Sequence, residues 1–236
     1  MKTTIIFLLA IFICETAFCE TRVWTLRNGQ TIEAEMMSVI GGKVSLKTLK
    51  GKLVKVPESE FSADDRVYIE LETPPRLDLS ISRKSRMRVF PDSLSDLPTS
   101  QYYDLTAVIK QESTKPYNQE LTAELFVIGE EKAGDKHILL DYKKEAFRLT
   151  EGSKSVFELS SDTIELIEFD VVGQMRGDLY SGCLIIVTDS RGEVLEYKTK
   201  SEWWFEVVDN LRKLPVKKFF DKNGERCFPT SPKRYY

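Results

Sequence analysis

The sequence predicts a mainly β protein: a small β-barrel module, then a β-sandwich-like domain with one helix near the C-terminus. Residues 22–56 break into short segments of alternating polarity punctuated by glycine turns. Further along, alternating segments such as QYYDLTAVIKQ and continuous apolar runs such as GCLIIVT recur between turn signals. A single stretch, SEWWFEVVDNLRKL, places its apolar residues at helical spacing.

The first nineteen residues, MKTTIIFLLAIFICETAFC, hold Lys2 and then an apolar run from Ile5 to Cys14. These are the proportions of a secretory signal, too short to span a bilayer comfortably. Cleavage after Cys19 places Ala17 and Cys19 at the small-residue positions. The alternative is a lipoprotein acylated at Cys19, which Phe18 opposes because a small residue is normal before a lipidated cysteine. The expected address is export, periplasmic or secreted. No later segment is apolar for long enough to span a membrane as a helix.

The expected divisions are a signal at residues 1–19, a barrel module at 20–72, a Pro-rich linker at 73–76 and the second domain at 77–236. In the module, Arg22–Leu26 and Gln30–Ile40 flank Asn28-Gly29, a hairpin signal. Gly41-Gly42 turns the chain into Lys43–Leu49, where Val44, Leu46 and Thr48 share a face. Gly51 leads into Lys52–Val56, and Pro57 ends the pairing. Ser62 reads as the cap of a short helix, Ala63–Glu70, with Asp64 and Asp65 in its first turn. The two prolines at 74 and 75 then favour an extended linker.

In the second domain, Gln101–Gln111, Glu120–Ile128 and Thr163–Phe169 alternate as half-buried strands. Lys136–Tyr142 and Gly182–Thr188 read as more buried central strands, and Asp189–Gly192 turns into Val194–Lys198. The helix expected over Ser201–Leu214 is capped by Ser201 and stopped by Pro215. Trp204, Val207, Val208, Leu211 and Leu214 would dock on the sheet. Beyond it, Val216, Phe219, Phe220 and Phe228 are too apolar for a disordered tail, so the segment is expected to fold back over the sandwich.

The first module resembles the Sla homology domain, the SH3-like module of fungal endocytic and actin-organising adaptors, also seen in exported bacterial proteins. The matching residues are Arg22-x-Trp24, Gly29, Glu33-Ala34-Glu35, Gly42-Lys43-Val44-x-Leu46, Gly51, Val56-Pro57, Phe61-Ser62, Asp65 and Tyr68. The resemblance implies an SH3-like barrel that binds peptides or self-associates. In fungal adaptors the module reads short Asn-Pro-Phe-containing signals, and the family implies cytoskeletal, clathrin or ubiquitin partners. A signal peptide removes an exported chain from all three. No ligand-contact residue carries over unambiguously.

Little else in the sequence suggests chemistry. His137 is the only histidine and starts an apolar run, as a strand-end residue would. One histidine and two distant cysteines make a poor zinc set, and no phosphate loop is present, so neither metal nor cofactor is expected. The carboxylate pairs Glu33/Glu35, Asp64/Asp65, Glu130/Glu131 and Asp141/Glu145 read mainly as solvated faces, although a glycosidase would need two such acids. Arg83, Lys84, Arg86 and Arg88 form one basic cluster, and the segment from Arg212 to Tyr236 another, in a chain of net charge −3. Nucleic acid is not an expected partner of an acidic, exported chain. Cys183 and Cys227, with 43 residues between them, can form one disulfide or remain two thiols.

The candidate partner contacts are Trp24 and Trp203. Adjacent tryptophans on a helix point about 100° apart, so Trp203 and Trp204 cannot both be central to one core face. The functional expectation is an exported, non-enzymatic protein-binding or scaffolding protein whose ligand is a protein, a peptide or a second copy. The alternative is a carbohydrate-binding or weakly carbohydrate-active envelope protein.

Overall fold

The computed structural model describes residues 21–88, 99–171 and 173–230. The expected signal, Cys19 and Tyr235-Tyr236 lie outside them. The chain forms two compact units that divide between Ile69 and Glu70.

The first unit is a four-stranded antiparallel sheet in the order β1 (Arg22–Thr25), β2 (Thr31–Ile40), β3 (Lys43–Thr48), β4 (Leu53–Pro57). Helix α1 (Ala63–Leu71) follows a 3-10 turn at Glu58–Glu60. Alternation works as the sequence implies: Trp24, Ala34, Val44, Leu46 and Val56 are buried with Phe61 and Ile69, and the intervening residues face outward. A bulge between Met36 and Ser38 shifts the phase of β2, so Met36 and Val39 both reach the core while Met37 is exposed. The cap of α1 is formed by Ser62, whose Oγ accepts the Asp65 amide at 3.2 Å.

One turn design occurs four times among the described residues. Leu26 donates its amide to Gln30 and accepts that of Gly29; Thr48, Asp189 and Asp221 do the same with the residues three and four further on. The glycines at the fourth position, Gly29, Gly51, Gly192 and Gly224, all take positive φ, between 73° and 87°. This is the three-residue hairpin loop, a type I turn closed by a left-handed residue. Asn28 therefore needs no positive φ of its own; it serves the turn through its Oδ1, which accepts the Gln30 amide at 3.0 Å.

The second unit is a ten-stranded antiparallel sheet. Its main path runs β14 (Arg226–Cys227), β13 (Lys218–Phe220), β8 (His137–Leu149), β7 (Tyr117–Glu131), β11 (Gln174–Asp189), β10 (Ile164–Val171), β6 (Thr99–Gln111), β5 (Leu77–Arg88). Off this path, β12 (Val194–Thr199) pairs with β11 and β9 (Val156–Ser160) with β6. The long strand β11 joins two layers. Its start pairs with β10 and the rest with β7. Gly177 sits where the pairing changes hands, with φ of 126°, and a Cβ there would lie 2.2 Å from the Ile167 carbonyl oxygen. The layers enclose one core, to which Leu79, Leu105, Ile109 and Leu166 contribute from one side and Leu125, Val127, Leu140 and Ile185 from the other.

The reverse face of β7, β8 and β11 is covered too. Phe126, Ile128, Leu139, Leu184 and Ile186 pack under Trp204, Val208, Leu211, Leu214 and Phe220. Burial on both faces is why these strands read as unbroken apolar runs. The covering segment corrects one expectation. The helix forms as two single turns, α2 (Trp203–Glu206) and α3 (Val208–Leu211), broken at Val207 (φ −102°, ψ 12°). Adjacent β-branched residues at 207 and 208 resist helical χ1 packing, while Trp204 and Val208 must both reach the sheet. Ser201 does not cap it with its side chain; its carbonyl accepts the Trp204 amide at 3.1 Å. The tail folds back through Phe220, which is fully buried on β13, and Phe219 is half-buried, whereas Val216 and Phe228 are exposed.

The disulfide expectation is also corrected. Cys183 and Cys227 are free thiols. Strands β7, β8 and β13 separate β11 from β14, and at about 4.8 Å per strand that distance far exceeds what a disulfide bridges.

Candidate functional site

Most of the residues that carry the family resemblance in the first unit hold it together. Trp24 is 1% exposed, gives its Nε1 hydrogen to the Ala34 carbonyl at 2.9 Å, and meets Phe61 and Tyr68 edge-on. It is a core residue, which corrects its standing as a partner contact. Arg22 lies over the Tyr68 ring, 4.2 Å from its centroid, and donates Nε and Nη2 to Asp65 Oδ1. Asp65 Oδ2 accepts from the Thr25 amide and Ser62 Oγ. Together these contacts latch β1 to α1.

The two edges of the sheet differ. The outer edge of β1 is sealed: Ser62 donates to the Thr25 carbonyl, Arg27 to that of Glu60, and Leu26 bridges Phe61. Among the described strands, β4 pairs only with β3, so its other edge is open. Lys43, Lys47, Lys50, Lys52 and Lys55 lie along the β3–β4 hairpin, with no acid between residues 43 and 57. Leu49 and Leu53 flank its turn at 68% and 65% exposure. This charge run was readable in the sequence but was split between two strands, which hid it.

In the second unit, Trp203 is half-buried, with its ring centroid 5.0 Å from that of His137 and 6.2 Å from that of Phe220. It lies in an aromatic cluster at the edge of the covered face. His137 opens β8, its Nδ1 is buried without a hydrogen-bond partner, and burial lowers its pKa.

The carboxylate pairs are mostly in structural use. Asp141 accepts the Tyr142 and Asp162 amides, Glu131 accepts the Thr230 amide, and Glu33 is exposed. A cleft of about 650 Å³ is lined by Asp141, Asp162, Glu165 and Asp178 over Ile138 and Leu166. Hydrogen bonds from Tyr102 and Ser100 hold the Glu165 carboxyl below its usual range, the reverse of what a general acid needs. Among the described residues, no group of three or more His, Cys, Asp or Glu side chains is placed to hold a metal ion. No described helix is long and apolar enough to cross a membrane.

Residues 15–77 match the family model of SLA1 homology domain 1. The match ends at Leu77, where β5 begins. The sequence resemblance therefore holds for this segment, and the β-sheet domain beyond it carries no family assignment. No curated protein matches the chain. Among solved structures, one similar chain is a crystal structure from Akkermansia muciniphila. It is 13% identical over 56% of this chain and 77% of that one, with a TM-score of 0.27, too low to bear on either fold or function.

Proposed function

We propose that this is an exported, non-enzymatic protein-binding protein whose first unit captures an extended acidic peptide, presented by a partner or by a second copy. The observation that carries this reading is the open, lysine-lined edge of β4. A strand edge has unpaired amides and carbonyls, and an extended peptide satisfies them by adding as a further strand. Lys52 and Lys55 select for acidic side chains, and the exposed Leu49 and Leu53 offer apolar contact beside them. The match to SLA1 homology domain 1 over residues 15–77 supports a binding role for the same unit. Export rests on the apolar N-terminal segment.

The test is fluorescence anisotropy of the mature chain with labelled extended peptides, one alternating Glu and Val and one alternating Lys and Val. The acidic peptide should bind and the basic one should not. The paired substitution Lys52→Glu and Lys55→Glu should abolish binding without moving the melting temperature. Sedimentation with and without the acidic peptide separates a foreign peptide from self-association. Undiminished binding by the charge-reversed variant would sink the proposal.

A further inference from the structure

The two layers of the second unit leave a gap on one side. Among the described strands, β5 pairs only with β6 and β12 only with β11, so two strand edges face one another across a seam. At one point the seam is bridged: Lys198 Nζ donates to the Leu79 carbonyl at 2.6 Å. Beyond Leu79 it opens into a cavity of about 480 Å³, inside the range of small-molecule sites.

The lining is unusual in its charge. Arg83, Lys198 and Lys200 border the cavity, and no carboxylate does. Each cation is already positioned by a contact that leaves its charge unneutralised. Lys198 and Lys200 give one hydrogen each to backbone carbonyls, of Leu79 and Ser181, which leaves each ammonium two donors. The Arg83 guanidinium stands over the Tyr180 ring, 5.5 Å from its centroid. Among the described residues, none of the three is in an ion pair, whereas Lys143, Arg191 and Arg212 all are. The floor is apolar and neutral. Ile81 and Cys183 form part of it, Tyr180 OH and Cys183 Sγ meet at 3.3 Å, and burial pushes the Cys183 thiol up to about 11. Nothing in the cavity wall competes with an incoming anion.

We propose that this seam binds a small organic anion, its carboxylate or phosphate held by Arg83, Lys198 and Lys200 and its apolar body laid against Ile81, Tyr180 and Cys183. Cations already held by one contact each lose less freedom on binding than free side chains, and an apolar body displaces water from a surface that gains nothing from it. This site is independent of the β4 edge and of the reading built on that edge.

Isothermal titration of the mature chain at constant ionic strength tests it, with benzoate and phenyl phosphate as probes and benzyl alcohol as the neutral control. At least one aryl anion should bind saturably at one site per chain, and the tighter of the two identifies the preferred oxyanion. Benzyl alcohol should give no heat. Arg83→Gln and Lys200→Gln should each weaken binding about tenfold, the scale of one charge-assisted hydrogen bond. Lys110→Gln, an exposed cation on β6 outside the cavity, should leave it unchanged. Amide NMR shifts on titration should centre on Gly182 and Lys200, a readout that needs no variant. Silence with both anions, equal binding of benzyl alcohol, or undiminished binding in both variants would overturn the assignment.

Discussion

Arg22 and Asp65 join the first strand of the N-terminal unit to its helix. Two guanidinium nitrogens reach one carboxylate oxygen at 3.1 and 3.0 Å, and the other oxygen takes the Thr25 amide at 2.7 Å. Asp65 is 3% exposed. Asp65→Ala would strand the Thr25 amide and remove both the Arg22 partner and the Ser62 contact. The expected cost is about 3 kcal/mol, as for breaking a largely buried, hydrogen-bonded pair. Urea denaturation read by hydrogen exchange in β1 checks it, and a loss under about 1 kcal/mol would contradict the latch.

A second buried charge fastens the covering segment to the sheet. Glu124 is 1% exposed on β7 and takes three contacts from Arg212 and one from Tyr142 OH at 2.6 Å. Burial pushes its carboxyl up, yet the Arg212 and Tyr142 hydrogen bonds outweigh this and the net shift is downward. Arg212→Met alone should cost about 2 kcal/mol, because it leaves the buried carboxylate with only the Tyr142 hydroxyl and the more distant, exposed Lys144 ammonium at 3.8 Å. Replacing both residues by methionine should recover most of that loss. A double variant as unstable as the single one would refute this account.

Acid should loosen the same face through His137. Burial beside Trp203 and Phe220 lowers its pKa from 6.5, against the opposing pull of Glu130 and Asp135 and with a small contribution from Lys222. The folded state therefore binds the proton less readily than the unfolded chain. The stability this supplies is complete above the unfolded pKa of 6.5 and falls as pH drops below it. Melting temperature measured from pH 7.5 downward should show that slope, and His137→Phe should flatten it. An unchanged slope in the variant would assign the effect to other groups.

Two glycines separate turn strain from backbone collision. Gly51 has φ of 75° and open space where a Cβ would go, so Gly51→Ala should cost about 1 kcal/mol. Gly177 has φ of 126° and the Ile167 carbonyl in the way, so Gly177→Ala should cost several times more. Chemical denaturation of both variants gives the comparison, and equal losses would argue against a tight β10–β11 crossing.

Reducing agent should leave the melting temperature unchanged, and non-reducing mass spectrometry should find both Cys183 and Cys227 as free thiols. A mass two hydrogens short would contradict the separation of β11 from β14.

The sequence by itself determined the local events. Each hairpin glycine marks its turn because only a residue without Cβ takes that backbone cheaply. Val44 and Leu46 show their buried face because strand periodicity depends on neighbours two residues away. The runs around Val127 and Ile185 announce burial on both faces, since no polar position was left to face water. Where contacts come from far along the chain, the tertiary structure decided. Trp24 looked available until β2 and α1 closed over it, and Asp65 looked like an ordinary first-turn acid until Arg22 arrived from 43 residues away. Cys183 and Cys227 had a plausible spacing, but strand order rather than spacing sets their distance. The basic run after Ser82 hid the outer half of β5, exposed on both faces and so without alternation. Arg83, Lys198 and Lys200 lie more than 110 residues apart in the chain at the extremes, and only the facing of two sheet edges brings them to one cavity.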